Sequence, residues 1–291
     1  MVAVCAIWGL SPLYYRALAH VPPLEVLCHR AVWSLVLFLG ILGLQGRLGA
    51  LGAALTRPGE RLAIAAASLA ISGNWYLFIL ATAIDRVTES SLGYYIFPLV
   101  SVALGRIVLG ERLSRGQWVA VALAAAAVGL LGWGLGAMPF IALGLAMSMS
   151  IYGLMKRFVE AGPMVSVSAE VAWVAPAALA WLIWRGGADH DAATWALLLG
   201  SGPLTAIPLM IFAYAAKRIT MGTQAFLMYF NPTLQALVAV AVLSEPFTVW
   251  HMAAFPLIWL ALALYSAEAV RAERRARRSA TSASGPATTV M

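Results

Sequence analysis

Tyr94-Tyr95-Ile96-Phe97-Pro98, with Glu111 thirteen residues past the proline, recurs as Met228-Tyr229-Phe230-Asn231-Pro232, with Glu245 again thirteen residues past the proline. In both places the glutamate falls just beyond the end of an apolar run. Upstream, Arg86-Val87-Thr88 resembles Arg218-Ile219-Thr220. Weaker pairs extend the likeness toward the starts of the two segments. Trp8-Gly9-Leu10 matches Tyr152-Gly153-Leu154, and Pro23 precedes Arg30 by seven residues as Pro163 precedes Glu170. Similar residues returning in the same order mark an internal duplication.

The runs around these motifs identify the solvent. The chain has 291 residues, of which 62% are hydrophobic and 11% charged. A soluble domain carries about a quarter charged residues, so there is too little polar surface here to face water. Apolar runs recur at about 20 residues, the length that crosses the hydrocarbon core as a helix. The ten-residue alternation of a membrane barrel is absent, which leaves helices to satisfy the backbone in lipid. The expected spans are Val2–Leu18, Leu27–Leu44, Leu62–Ile84, Ser90–Leu109, Gln117–Leu135, Phe140–Met155, Val165–Trp184, Thr194–Ala215, Gly222–Leu243 and Trp250–Val270. The fold class is therefore an all-α integral membrane protein of ten transmembrane helices.

Ten spans and one duplication give two five-helix halves, residues 2–135 and 138–270. Five is odd, so the second half enters the membrane upside down. Charge placement agrees. Glu111 is followed by Arg112 and Arg115, whereas Glu245 has no basic residue after it before the tail. With the amino terminus inside, fifteen of the nineteen basic residues fall on the cytoplasmic side, Lys156 among them, and only Arg16, Arg30, Arg86 and Arg185 on the other. That bias puts both termini in the cytoplasm. No cleavable signal is evident. Residues 271–291, with five arginines and then Ser, Ala and Thr, read as a disordered basic tail against an anionic leaflet rather than a nucleic-acid binder.

The residues resemble the EamA-type transporters of the drug/metabolite transporter superfamily, and within them the RarD branch. The likeness is carried by Ile7-Trp8-Gly9-Leu10-Ser11-Pro12-Leu13-Tyr14-Tyr15, Val21-Pro22, Glu25, His29-Arg30 and Gly73-Asn74-Trp75. It continues through Ser91-Leu92-Gly93-Tyr94-Tyr95-Ile96-Phe97-Pro98-Leu99, Leu109-Gly110-Glu111-Arg112, Ala142-Leu143-Gly144-Leu145-Ala146 and Phe230-Asn231-Pro232-Thr233-Leu234. It covers nearly the whole chain apart from the tail. The resemblance implies two inverted five-helix EamA repeats and a central cavity lined by spans 1 to 4 and 6 to 9. Two departures stand out. Only seven residues precede Trp8, and Ser244-Glu245-Pro246 stands where Gly-Glu is usual.

Charged groups at membrane depth need a partner or water. Arg30 and Glu170 hold equivalent places in the two halves, near opposite faces, which argues against a direct pair. Glu25 and His29 lie four residues apart on one helical face. The three residues of α-helical spacing, Glu25, His29 and Arg30, either bind an anionic or zwitterionic solute, with His29 able to take a coupling proton, or form a helix end satisfied by interfacial water. Asn74, with Trp75 beside it, either bridges helices or faces a cavity. Tyr94, Tyr95 and Asn231 precede the two repeat prolines, where a freed carbonyl invites polar company. Trp8, Tyr14, Tyr15 and Tyr152 can stack on an aromatic or cationic solute or sit in an interfacial belt, a placement that suits Tyr14 and Tyr15 better than Trp8. Pro98 and Pro232 are expected to kink their helices, and Glu111 and Glu245 to cap and pin helix ends.

No phosphate-binding Gly-x4-Gly-Lys loop, zinc-type His cluster or Gly-x-Ser-x-Gly elbow occurs, and Cys5 and Cys28 read as small buried hydrophobes. The expectation is a cofactor-free secondary carrier in a bacterial inner membrane. It would move a small metabolite or drug-like solute by alternating access, with export favoured and without nucleic acid as a partner. A proton can serve as coupling ion, and a homodimer is compatible with the sequence. The rivals are a multi-pass enzyme acting on lipid and a non-transporting membrane subunit.

Overall fold

The computed structural model describes residues 1–110, 113–136, 138–186, 189–216, 218–219 and 227–283. All regular secondary structure among them is helical: α1 Val2–Arg16, α2 Pro23–Leu44, α3 Leu48–Thr56, α4 Pro58–Ala83, α5 Val87–Leu109, α6 Arg115–Gly134, α7 Phe140–Lys156, α8 Pro163–Arg185, α9 Ala192–Ala216, α10 Phe230–Leu237 and α11 Val249–Ala283. A π-helical segment, Val238–Val242, continues α10.

Local chemistry explains most of the boundaries. α2, α4 and α8 begin with proline in their first turn, where its missing N–H costs nothing. Ser114 and Gln117 close a capping box on α6. Two other starts are capped from a distance. Glu245 accepts from the amides of Val87 (2.6 Å) and Thr88 (2.7 Å) at the head of α5. Glu89 accepts from Ile141 (2.8 Å) and Ala142 (3.3 Å) at the head of α7, while pairing with Arg86 at 2.5 Å. A carboxylate is favoured at these ends by the helix dipole and by otherwise unpaired amides.

Among the described residues seven helices have the length and composition to cross a membrane: α2, α4, α5, α6, α8, Ala192–Phe212 of α9 and Val249–Glu268 of α11. Three expected spans are shorter. α1 has 15 residues, α7 has 17, and the ninth is Phe230–Val242, after residues that lie outside the described set. α3 was not expected: at nine residues and with two glycines it is too short to register as a span. Its Leu51 and Ala54 nevertheless pack with Leu42, Ile64 and Val165. α11 runs on through Arg271, so helical backbone covers the first part of the segment read from sequence as a disordered tail. Large side chains stand exposed along the helices, among them Leu62 (76%), Phe140 (72%) and Ile183 (71%). Surfaces of that kind belong against lipid.

The chain divides into two compact units, residues 1–104 with 139–247 and residues 105–138 with 248–291. In the first, α2 packs against both α8 and α9, α4 against α7 and α8, and α1 against α9 and α10. α5 is tied to α10 by Ser91 donating to the Pro232 carbonyl (3.0 Å), and to α7 by Ser101 donating to Ser150 (2.9 Å). Two glycines permit close crossings. A Cβ on Gly93 would stand 2.8 Å from the Ala142 carbonyl, and one on Gly202 2.7 Å from the backbone of Trp33. In the second unit, α6 lies along α11, with Ser114 donating to Glu268 at 2.8 Å.

Candidate substrate site

α2 and α8 run antiparallel, because the first turn of α2 meets the last residue of α8: Glu25 pairs with Arg185 at 3.3 Å. The bundle of the first unit therefore has two ends, each with a buried carboxylate. At the first end, Glu25 is 3% exposed and also takes a 2.7 Å hydrogen bond with His190. His29 and His190 both turn ring edges on Trp195, with centroids 5.2 and 5.9 Å away. Beside them His20 bonds Thr194 at 2.9 Å, and Asp191 accepts from the Thr194 amide at 2.9 Å to cap α9. The hydroxyl and then the amide of Thr194 hold the Asp191 carboxyl below its ordinary value.

At the other end Glu170, 1% exposed, pairs with Lys156 at 2.6 Å and accepts from Ser166 at 2.9 Å. The Lys156 ammonium also bonds Ser166 and lies 5.4 Å from the centre of the Tyr152 ring. A cleft of about 410 Å³ lies near this end, between Gln45 and Arg47, the start of α8, and Tyr214 and Arg218 of the α9 terminus. The Arg218 guanidinium stacks 3.4 Å over Tyr214.

Between the two ends Arg30, 8% exposed, lies about 10 Å into α2 by helical rise. Its guanidinium stacks 4.2 Å over Trp75 and 5.6 Å from the centre of Tyr15, whose hydroxyl accepts from Nη1 at 2.9 Å. Phe78 meets Tyr15 edge-on at 5.8 Å and Tyr94 at 6.2 Å, so the two rings at the guanidinium continue into an aromatic cluster drawn from α1, α4 and α5. Asn74 supports the group: its amide donates to the Leu145 carbonyl and Ser148 hydroxyl, both at 3.0 Å, and its oxygen accepts from the Tyr94 hydroxyl at 2.9 Å. Asn74 is thus a bridge joining α4, α5 and α7.

The remaining expected positions fall around this core. Tyr95 bonds Thr233 at 2.6 Å, and Asn231 accepts from Gln235 at 3.0 Å, which in turn takes a 3.3 Å bond from Ser90. Trp8 meets Phe212 at 5.9 Å on the α9 side of α1. Pro98 lies inside α5, whereas Pro232 sits in the first turn of α10 and accepts from Ser91 through its carbonyl. Glu245 caps α5, and Glu111 lies outside the described residues. Arg30 and Glu170 do not meet; each has its own neighbours. Lys156, Arg185 and His190 are partners that no single stretch of sequence advertised as site residues, whereas Tyr15 is among the aromatics that the sequence marks as able to stack on a solute.

Comparison with known proteins places this geometry. Residues 1–133 match the EamA-like transporter family. The "Protein RarD" of Salmonella typhimurium is 36% identical over 94% of this chain and 95% of its own length. That of Streptomyces exfoliatus is 40% identical over 93% and 88%.

The chain belongs to the RarD branch of the EamA-like transporters.

An "Uncharacterized transporter" of Vibrio cholerae, 36% identical over 95% of this chain and 94% of that protein, lies in the same range. One crystal structure of a protein matches this RarD-type fold with a TM-score of 0.61 at 18% identity, covering 90% of this chain and 94% of that one. At that identity it establishes the fold alone. Membership makes the chain a multi-pass membrane transporter, with the bilayer around it and a small molecule as its substrate.

Proposed function

We propose that this RarD-branch protein is a secondary carrier that moves a small metabolite or drug-like solute across the bacterial inner membrane by alternating access, with export its working direction. The observation that carries the reading is the pattern of helix contacts in the first unit. Numbering the spans in order, α1, α2, α4 and α5 are the first four, and α7, α8, α9 and α10 are the sixth to ninth. Exchanging each span for the one five places on turns the α1–α10 contact into α7–α5, α2–α9 into α8–α4, and α4–α7 into α9–α1. Every one of these partners is present. Such a pairing supports a five-helix duplication, residues 2–135 and 138–270, with ten spans in all; the antiparallel α2 and α8 favour inversion of the copies, and the bias of basic residues favours cytoplasmic termini.

An inverted pair can open to either side at similar energy, which is the physical basis of alternating access. On this reading the Glu25 cluster and the Lys156–Glu170 pair are the latches at opposite ends. One opens while the other holds, and Arg30 with its aromatic neighbours contacts the solute between them. The substrate contacts are proposed at Trp8, Glu25, His29, Arg30, Asn74, Trp75, Tyr94, Tyr95, Tyr152, Glu170 and Asn231, with Pro98, Pro232, Glu111 and Glu245 shaping helix ends. The contacts of Asn74 and of Glu245 favour support over direct contact for those two.

Flux in proteoliposomes is the test. Amino acids, amines and amphenicols are offered to the purified protein, and one of them should cross unchanged, saturably, and fail to cross when Arg30 is replaced by alanine. Lipid turnover, or no movement of any solute, overturns the carrier reading in favour of an enzyme or a regulatory subunit. Topology is tested separately with single cysteines at Arg112→Cys and Phe247→Cys, since Cys5 and Cys28 are both buried. Labelling from the same side removes the inversion.

A further inference from the structure

Among the described residues five carboxylates are buried: Glu25, Glu60, Glu89, Glu170 and Glu245. Each has a counterpart. Glu25 has Arg185 and His190, Glu60 has Arg57, Glu89 has Arg86, Glu170 has Lys156, and Glu245 has two backbone amides. Arg30 is buried to the same degree and has none. Among the described residues its single hydrogen-bond partner is the Tyr15 hydroxyl, its Nε–H has no acceptor, and no carboxylate lies within ion-pair reach. The rings of Trp75 and Tyr15 offset part of the cost of burying the charge, but a ring face does not accept the in-plane hydrogen bonds of a guanidinium. A buried charge is tolerated when paired, and the fork of arginine matches a planar oxyanion in two parallel bonds.

We propose that the missing counter-ion is the cargo: Arg30 docks the carboxylate of the solute, and the substrate class is a monocarboxylate with an aromatic or branched apolar body. The proposal rests on the carrier reading above. The body follows from the rings beside the charge: Trp75 and Tyr15 lie on the guanidinium, Phe78 packs on Tyr15, and Tyr94 packs on Phe78. The polar groups nearby are already engaged, since Asn74 and the Tyr94 hydroxyl satisfy each other and α7. An ammonium group on the solute would have to compete at Glu25 with Arg185 and His190, which already pair with that carboxylate although its Oε2 takes no hydrogen bond. Three residues beyond Arg30, the Trp33 indole N–H also lacks an acceptor, which adds a second donor on that side of α2. The cleft bearing Arg47 and Arg218 has the same sign of charge and would concentrate anions at its end of the bundle.

The test uses the full-length protein in detergent and in liposomes, with phenylacetate and 4-methylpentanoate each offered beside its neutral amide. The wild type should bind and exchange at least one acid tenfold or more better than the matching amide. Arg30→Gln should remove that preference, and Arg30→Lys, which keeps the charge but loses the fork, should keep part of it. Equal handling of acid and amide by the wild type, which does not depend on how the variants fold, overturns the proposal. So does an Arg30→Gln protein that keeps the preference, or movement confined to amines or neutral solutes; in these cases the carrier stands and its substrate class changes. If none of the acids, amides, amines, amino acids or amphenicols moves, the carrier reading falls and the carboxylate site falls with it.

Discussion

Replacing Lys156 with methionine deletes the only cation on Glu170 among the described residues while keeping most of the side-chain volume. The Glu170 carboxylate is 1% exposed and Lys156 26%. Removing one partner of a fully buried pair costs about 3–5 kcal/mol, because the other charge is left without compensation. Two features lower that figure here. The ammonium keeps some access to its surroundings, and Ser166 remains on Glu170 at 2.9 Å. The expected loss is therefore about 2–3 kcal/mol. Adding Glu170→Gln to Lys156→Met removes the orphaned charge and leaves a neutral amide with the Ser166 hydroxyl still present. That double variant should come back to within about 1 kcal/mol of the wild type. Reversible unfolding in mixed micelles, run as a double-mutant cycle, reads both numbers. A Lys156→Met protein as stable as wild type would refute the reasoning, and so would a double variant whose loss is the sum of the two singles.

Asn74→Ala removes three hydrogen bonds and strands the Tyr94 hydroxyl; at about 0.6 kcal/mol per bond between membrane helices, the loss should be about 2 kcal/mol in the same assay, and Tyr94→Phe should cost less. Gly202→Ala pushes a methyl group within 2.7 Å of the Trp33 backbone, so overpacking of about 1–3 kcal/mol is expected as a lowered melting temperature. Ser244 adopts φ 56°, where Gly110 has φ 69° at the equivalent position before Glu111. Ser244→Gly should relieve left-handed strain and, after the entropy glycine loses on folding, raise stability by about 0.5–1 kcal/mol. Asp191 has a carboxyl held below its ordinary value by Thr194, so its contribution is complete above about pH 4 and is lost as pH falls through the lowered value. Asp191→Asn should flatten that acid limb in a melting-temperature series against pH, leaving the neutral limb unchanged in slope.

What the sequence made legible follows from range. Helices in lipid are announced by local composition, so nine of the expected spans overlap described helices closely, as Phe140–Met155 does α7 and Leu27–Leu44 does α2. α3 was passed over because nine residues carry no span-length signal. Spacing along one helix also reached part of the site: the interval from Pro23 to Arg30 and from Pro163 to Glu170 singled out two of the buried charges. It could not supply their partners, because Glu25 meets His190 across 165 positions and Asn74 meets Ser148 across 74.

Lys156 is the instructive case. Sequence reading counted it as a loop cation that reports orientation, a property of its charge alone, yet it forms the innermost contact of Glu170. A physical constraint available from the start pointed the same way. An acid in the middle of an apolar helix requires a cation within side-chain reach, and Lys156 ends the neighbouring helix only 14 residues away. The same rule applied to Arg30 finds no carboxylate within ion-pair distance among the described residues, although Glu25 lies five residues away on the same helix. Compensation inside the chain is therefore what separates Glu170 from Arg30: at Glu170 the protein supplies the counter-ion itself, whereas at Arg30, on the proposal above, the solute supplies it.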